Sequence, residues 1–284
     1  VITFVGESEI IVDAAFNLIE KAKELIDMSN HSGEHPRMGA VDVCPLIPIL
    51  GITMQETVKL AHQLSERVGN ELSIPVYCYE YAANEEKRKN LANCRACEYE
   101  GLEKKLNDKS WKPDFGPSNF NDEIKKTGAT AISARDFLVA YNVNLNTTST
   151  RRANAVAFDL REAGRIKREG GKLTGKIITD KNNNPERTPG YFKNLKGIGW
   201  FIKEYGVAQI SYNITNIETT PLHEVFDKTC ERAQARGMRV TGSELIGLVP
   251  KKVLIDAGKF FLSKQNRSKA IPEGEIIHIA VKSM

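Results

Sequence analysis

Apolar residues at Ile10, Ala14, Ala15, Leu18, Ala22, Leu25 and Ile26 recur at helical spacing, with Glu20, Lys21, Lys23 and Glu24 on the other side. This pattern predicts an amphipathic helix behind an opening strand at residues 2–5. A loop over residues 30–39 leads into an apolar segment, residues 41–50. There Pro45 and Pro48 forbid a helix and leave an extended chain. Thr53-Met54-Gln55-Glu56 has the form of a capping box, opening a helix that runs to about Gly69. A strand at 74–79, a charged helical stretch at 84–110 and a loop at 111–120, punctuated by Pro113, Gly116 and Pro117, complete the first half.

The second half starts near Ile132. It reads strand (137–145), helix (151–168), strands (198–203 and 207–215), helix (222–235), strand (238–242) and a last helix (251–262). The order β-α-β-β-α-β plus a helix is the split β-α-β plan of ferredoxin-like sheets. The first half matches the same plan only if a strand, a helix and a strand precede Val1. The expected fold is therefore α+β, with two ferredoxin-like subdomains facing each other, residues 1–133 and 134–284, the first lacking its N-terminal elements. Residues 169–194, rich in Lys, Asn, Gly and Pro, are expected to form a mobile excursion or lid, because so long a stretch without pattern is unusual inside a compact domain.

Charge adds little: 40 Lys and Arg against 36 Asp and Glu leave a net charge of +4 in 284 residues, too small and too dispersed for a nucleic-acid surface. With 41% hydrophobic residues the chain can build sizeable cores. No run of roughly 18 apolar residues and no signal-peptide pattern occurs, so a soluble, cytoplasmic protein without membrane partners is expected. Five cysteines cannot all pair internally, which fits a reducing compartment. Cys94 and Cys97 form a lone C-x-x-C with no second pair, so no metal is expected there. No glycine pattern for nucleotide phosphates is present.

Chemistry concentrates at 28–45. Two of the five histidines, His31 and His35, stand there with Glu34, Arg37 and Asp42; Gly33 and Gly39 permit close backbone approach and Pro36 fixes the chain after His35. An imidazole with a nearby carboxylate suits a general base near neutrality, and His35 is the candidate. His31 and His35 are also four apart, as zinc ligands on a helix are, but Gly33 and Pro36 oppose a helix there and H-E-x-x-H is not formed.

The run from His31 to Pro45, H-S-G-E-H-P-R-M-G-A-V-D-V-C-P, resembles the signature of the glutamate formiminotransferases, folate-dependent enzymes of histidine degradation. V-I-T-F-V-G at 1–6, P-D-F-G-P-S at 113–118, G-I-G-W at 197–200 and G-S-E-L-I-G-L-V-P at 242–250 agree, in family order and over nearly the whole chain. The resemblance implies transfer of a formimino group from N-formimino-L-glutamate to N5 of tetrahydrofolate, with His35 as base, a homodimer, and folate (polyglutamates included) in a cleft or tunnel between the two units. The family's folate segment falls on the loop that opens Gly116, Pro117, Ser118, Asn119, Phe120 and closes at Thr127 and Gly128. The interval from Asn121 and Asp122 to Thr127 is charged and looks longer than in the animal enzymes.

The residue types fit this chemistry. The attacking nitrogen must lose a proton and the departing one must gain it, which one imidazole can do. The formimino carbon develops positive character, for which an anionic neighbour helps; Asp42 and Glu244 are candidates. Asp42 can instead orient the imidazole, and a plain structural bond fits either residue as well. Both substrates carry several carboxylates, and Arg37, together with Arg95, offers a guanidinium fork. Phe115 and Phe120 suit ring stacking or the core. A folate-binding homologue without turnover, or a transferase of another one-carbon unit such as formyl, would share these features.

Overall fold

A computed structural model describes residues 1–31, 37–171 and 174–284, and the chain falls into two compact units. One comprises Phe4–Asp136; the other comprises Val1–Thr3 with Phe137–Met284. The expected α+β organisation in two subdomains holds.

In the first unit, α1 (Ser8–Leu25) buries Val12, Ala15, Phe16 and Ile19. After β1 (Val43–Leu46) comes α2 (Met54–Glu71), whose start follows the capping box. The Thr53 hydroxyl accepts from the Glu56 amide at 3.2 Å, and the Glu56 carboxylate accepts from the Thr53 amide at 2.8 Å. β2 (Val76–Glu80) is followed by short helical turns, α3 (Leu91–Arg95) and α4 (Leu102–Leu106) among them, rather than one helix over 84–110. The reason is local: Asn90 and Asp108 side chains accept from Ala92 and Ser110 amides and start new turns, which competes with helix continuation. α5 (Asp122–Thr127) then leads to β3 (Thr130–Ala134).

β3 lies between β1 and β2, parallel to both, so the two strands joined by α2 are split by a third. One face of this sheet sends Leu46, Val76, Cys78, Ile132 and Ala134 against α1 and α2. The other sends Tyr77, Tyr79 and Ala131 against Cys94, Leu102, Leu106 and Ile124. β3 is buried throughout, which hides it from pattern reading: a parallel strand covered on both faces shows no polar alternation. Residues 2–5 are a correction to the expected strand. Among the described residues they join no ladder, and Ile2 and Val5 are 70% and 75% exposed.

The second unit runs β4 (Val139–Leu145), α6 (Thr150–Leu160), β5 (Arg165–Ile166), β6 (Arg187–Thr188), β7 (Leu195–Ile202), β8 (Val207–Ile214), α7 (Leu222–Gln234), β9 (Val240–Ile246), α8 (Lys251–Lys264) and α9 (Glu273–Ser283). Its main sheet is antiparallel in the order β7-β8-β4-β9, the ferredoxin-like arrangement. Two expectations change here. α6 ends at Leu160 because the chain turns at Gly164 (φ +59), where a Cβ would lie 1.8 Å from the Thr188 carbonyl. The described residues of 165–171 and 174–188 form a hairpin arm: β5 pairs with β6, further bridges join Arg168 to Ile177 and Thr179 to Pro185, and Asp180 closes the tip by accepting from the Asn182 and Asn184 amides at 2.8 and 2.9 Å. α9, not predicted, packs on α8 where Gly258 admits the Ile276 carbonyl; Pro272 ahead of Glu273 and Glu275 was its sequence signal.

Candidate active site

The limb leaving the histidine loop is held by backbone. The Met38 carbonyl accepts from the Ala129 amide at 3.0 Å, the Ala40 amide donates to the Thr127 carbonyl at 2.8 Å, and Gly39 bridges Gly128. Both glycines are required. Gly128 has φ +71 and a Cβ there would sit 2.1 Å from the Met38 carbonyl oxygen, while a Cβ on Gly39 would sit 2.3 Å from that of Ala129. Two stretches that the sequence singles out separately, 31–45 and 116–128, are thus brought together. His35 itself, with Ser32, Gly33, Glu34 and Pro36, lies outside the described residues. His31 is exposed at the end of a short 3-10 turn capped by Asp27.

Charged groups line this limb. Asp42 accepts from the Met38 amide at 2.9 Å through one oxygen and pairs with Arg95 at 3.3 Å through the other. Arg37 forks onto Glu100 at 3.0 and 2.6 Å, donates to the His31 carbonyl at 3.1 Å, and lies 3.9 Å from Glu98. The arginine side chain is 15% exposed, that of Glu100 63%. The hydrogen bond to Glu100 raises the guanidinium pKa above its ordinary value and lowers that of Glu100. The fork assigned to a substrate carboxylate is therefore occupied by one from the chain, and Arg95, expected beside it, is engaged with Asp42.

The segment 113–121 is anchored rather than free. Val76 donates to the Phe115 carbonyl at 3.0 Å and accepts from the Asp114 amide at 2.9 Å, and the Asp114 carboxylate accepts from the Cys78 amide and from Asn84, both at 2.8 Å. Arg88, 3% exposed, completes the anchor by pairing with Asp114 and donating to the Lys112 carbonyl at 2.7 Å. Gly116 (φ +81) passes so close to Ile74 that a Cβ would meet its carbonyl at 2.3 Å. Sequence reasoning missed Asp114 and Arg88 as a pair; only the turn P-D-F-G pointed to the aspartate.

Past this anchor, Pro117, Ser118 and Asn119 carry no regular structure, and Ser118 and Asn119 are exposed. The expected loop interior is corrected at 122–127, which is α5. Asn121 caps it by accepting from Ile124 at 2.9 Å, Asp122 stands exposed in its first turn, and the buried Thr127 donates to Glu123 at 3.0 Å. Phe115 packs in the core beneath α2, edge-on to His62, and Phe120 packs against the cluster of Tyr77 and Ile124.

Glu244 belongs to the second unit, on β9. Its Oε2 accepts from Gln209 at 3.3 Å and Asn142 at 3.4 Å. Gln209 also donates to Asn144 at 2.8 Å and accepts from the Trp200 indole at 2.9 Å. Among the described residues no cluster of three or more His, Cys, Asp or Glu is placed to hold a metal ion, and no helix is long and apolar enough to cross a membrane. Cys94 is buried and Cys97 half-buried, both as free thiols.

Comparison with known proteins gives two family models in chain order. The formiminotransferase domain, N-terminal subdomain, matches residues 1–135, and the formiminotransferase domain matches residues 140–284. The formimidoyltransferase-cyclodeaminase of Gallus gallus is 44% identical over 93% of this chain and 45% of its own length, so the chain spans about half of that relative. The glutamate formimidoyltransferase of Streptococcus pyogenes serotype M1 is 38% identical over 94% of this chain and 80% of its own. That of Thermoplasma acidophilum is 41% identical over 92% and 78%.

Proposed function

This chain belongs to the formiminotransferase family, and from that premise we propose that it transfers the formimino group of N-formimino-L-glutamate to N5 of tetrahydrofolate, releasing L-glutamate, as a step of histidine degradation. Tetrahydrofolate is the co-substrate, in free or polyglutamate form, and no metal takes part. The observation that best supports the reading is the crossing of Met38–Ala40 with Thr127–Ala129, which ties the limb below His35 to the end of the segment assigned to folate.

In this scheme N5 attacks the formimino carbon, His35 takes the N5 proton, and the tetrahedral intermediate collapses as the same proton passes to the glutamate nitrogen and the old carbon–nitrogen bond breaks. Asp42, pinned by Met38 and Arg95, supplies negative charge as the carbon becomes electron-poor, and Glu244 is the second candidate for that role. Arg37 receives a glutamate carboxylate, and Gly116, Pro117, Ser118, Asn119, Phe120, Asn121, Asp122, Thr127 and Gly128 form the folate segment. The enzyme works as a cytoplasmic homodimer.

The test is release of L-glutamate from N-formimino-L-glutamate that requires both the chain and tetrahydrofolate, with the modified folate identified by mass. Tetrahydrofolate binding without release would favour a non-catalytic homologue, and release only from an N-formyl donor would favour a different one-carbon transferase.

Exchange of partners at Arg37 has a measurable consequence. Substrate carboxylate must compete with Glu100, which holds the fork without being buried. The Glu100→Gln variant is expected to lower KM for N-formimino-L-glutamate roughly two- to five-fold, the ~0.5–1 kcal/mol that an exposed ion pair is worth. An unchanged KM alongside unchanged turnover would remove Arg37 as the clamp.

A further inference from the structure

The main sheet of the second unit has two unlike faces. Tyr141, Val143, Leu145, Ala208, Ile210 and Tyr212 enter the core. Their alternates on the opposite face are polar, and a single row crosses all four strands: Trp200 on β7 stands opposite Gln209 on β8, Gln209 opposite Asn144 on β4, and the neighbouring Asn142 opposite Glu244 on β9. Gln209 is 1% exposed and Asn142 8%. Buried amides are costly unless their polar atoms are met; Gln209 is met at Oε1 by Trp200 and at Nε2 by Asn144 and Glu244, and Asn142 donates to Glu244.

The sense of the Gln209 amide is fixed from both ends. An indole N–H can only donate, so it takes Oε1; a carboxylate can only accept, so it takes Nε2. Turning the amide over would set the indole N–H against an NH2 group and the carboxylate against an oxygen. Both Nε2 hydrogens are spent, on Asn144 and on Glu244. Asn142 adds a second donor to the same carboxylate oxygen, Oε2. Among the described residues Oε1 of Glu244 accepts no side-chain hydrogen bond. The row thus immobilises a half-buried carboxylate by one oxygen and leaves the other as an acceptor.

We infer that Gln209, locked by Trp200, is a positioning residue that holds Glu244 so that its second oxygen accepts from the N–H of an amidinium group. This rests on the formimino-transfer reading and deepens it: the formimino group of the donor is an amidine, cationic when protonated, and a carboxylate held in one rotamer is its natural partner. Gln209 acts only through Glu244, and orienting partners of this kind carry a large share of a site's function.

Gln209→Leu removes both donors, and Trp200→Phe removes the indole N–H that sets the amide's sense while keeping an aromatic ring at the position. Turnover and calorimetric binding of formamidinium are measured for each and for the wild-type chain. Gln209→Leu is expected to raise KM for N-formimino-L-glutamate about 10- to 100-fold, in line with hydrogen bonds to charged groups, with KM for tetrahydrofolate unchanged. Trp200→Phe moves the same parameter in the same direction by less. Gln209→Glu, which sets a second carboxylate beside the first, is expected to shift the acidic limb of the rate profile to higher pH, which a purely structural glutamine would not do. Equal formamidinium binding by wild-type and Gln209→Leu, or an unmoved acidic limb in Gln209→Glu, overturns the inference. Absence of wild-type turnover together with Gln209-dependent formamidinium binding refutes formimino transfer and supports the assignment of Gln209.

Discussion

Replacing His35 by Asn is expected to lower kcat for formimino transfer by roughly 10^2 to 10^4, the range that a positioned general acid–base group supplies, while tetrahydrofolate affinity stays within a few-fold. Asparagine approximates the size and polarity of imidazole but cannot carry a proton between the two nitrogens, so chemistry should fail and binding should not. The companion His31→Asn is expected to change kcat less than about three-fold, because the His31 side chain is exposed and the bonds that hold the residue are backbone ones, its carbonyl accepting from Arg37 and its amide donating to Met28. Single-turnover kinetics with equilibrium folate titration separates the two parameters. Loss of turnover in His31→Asn with retention in His35→Asn would transfer the role to the other imidazole. Parallel loss of folate binding and turnover in His35→Asn would make it a binding group instead of a base.

What was legible in the sequence was whatever depends on neighbours along the chain. The Thr53–Glu56 box marked the start of α2 because both bonds close within one turn. The antiparallel second sheet followed from its element order, since the β7–β8 turn and the two helices leave few pairings. What was hidden depends on partners far away. β3, made of Ala131, Ile132 and Ala134 together with two hydroxyl residues, Thr130 and Ser133, acquires its identity from β1 and β2 on either side. Residues 2–5 have a strand's composition but no ladder partner among the described residues. The hairpin arm around β5 and β6 has hardly any apolar periodicity because its bonds are backbone pairs and an aspartate-closed turn. At the candidate site, the residue types of Arg37 and Asp42 could be read as carboxylate and imidazole partners, yet Glu100 and Arg95, the groups that hold them, are more than fifty residues distant.

The largest effect on stability is expected at Asp114, where that same long-range dependence is strongest. Arg88 and Asp114 are 3% and 6% exposed, and one carboxylate serves Arg88, Asn84 and the Cys78 amide. Asp114→Ala leaves a buried guanidinium with Glu85 and the Lys112 carbonyl as its remaining partners, and orphans an amide at the centre of β2. Removing one member of a buried pair costs about 3–5 kcal/mol, because the surviving charge stays desolvated. In a unit of this size that corresponds to a fall in Tm on the order of 10 °C. The double variant Arg88→Met, Asp114→Leu removes both charges and fills their volume with apolar atoms, so it should recover much of the loss. A thermodynamic cycle over the two singles and the double then reads their coupling directly. Because Asp114 also holds Pro113–Gly116 against Val76, tetrahydrofolate affinity should fall in Asp114→Ala well below its unfolding temperature, and the double variant, which restores packing but not the bond to Cys78, should regain stability more fully than affinity. A Tm within 2 °C of the wild type for Asp114→Ala, or affinity and stability recovering together, would show that the segment leading to Gly116 is held by its backbone pairing with β2 alone.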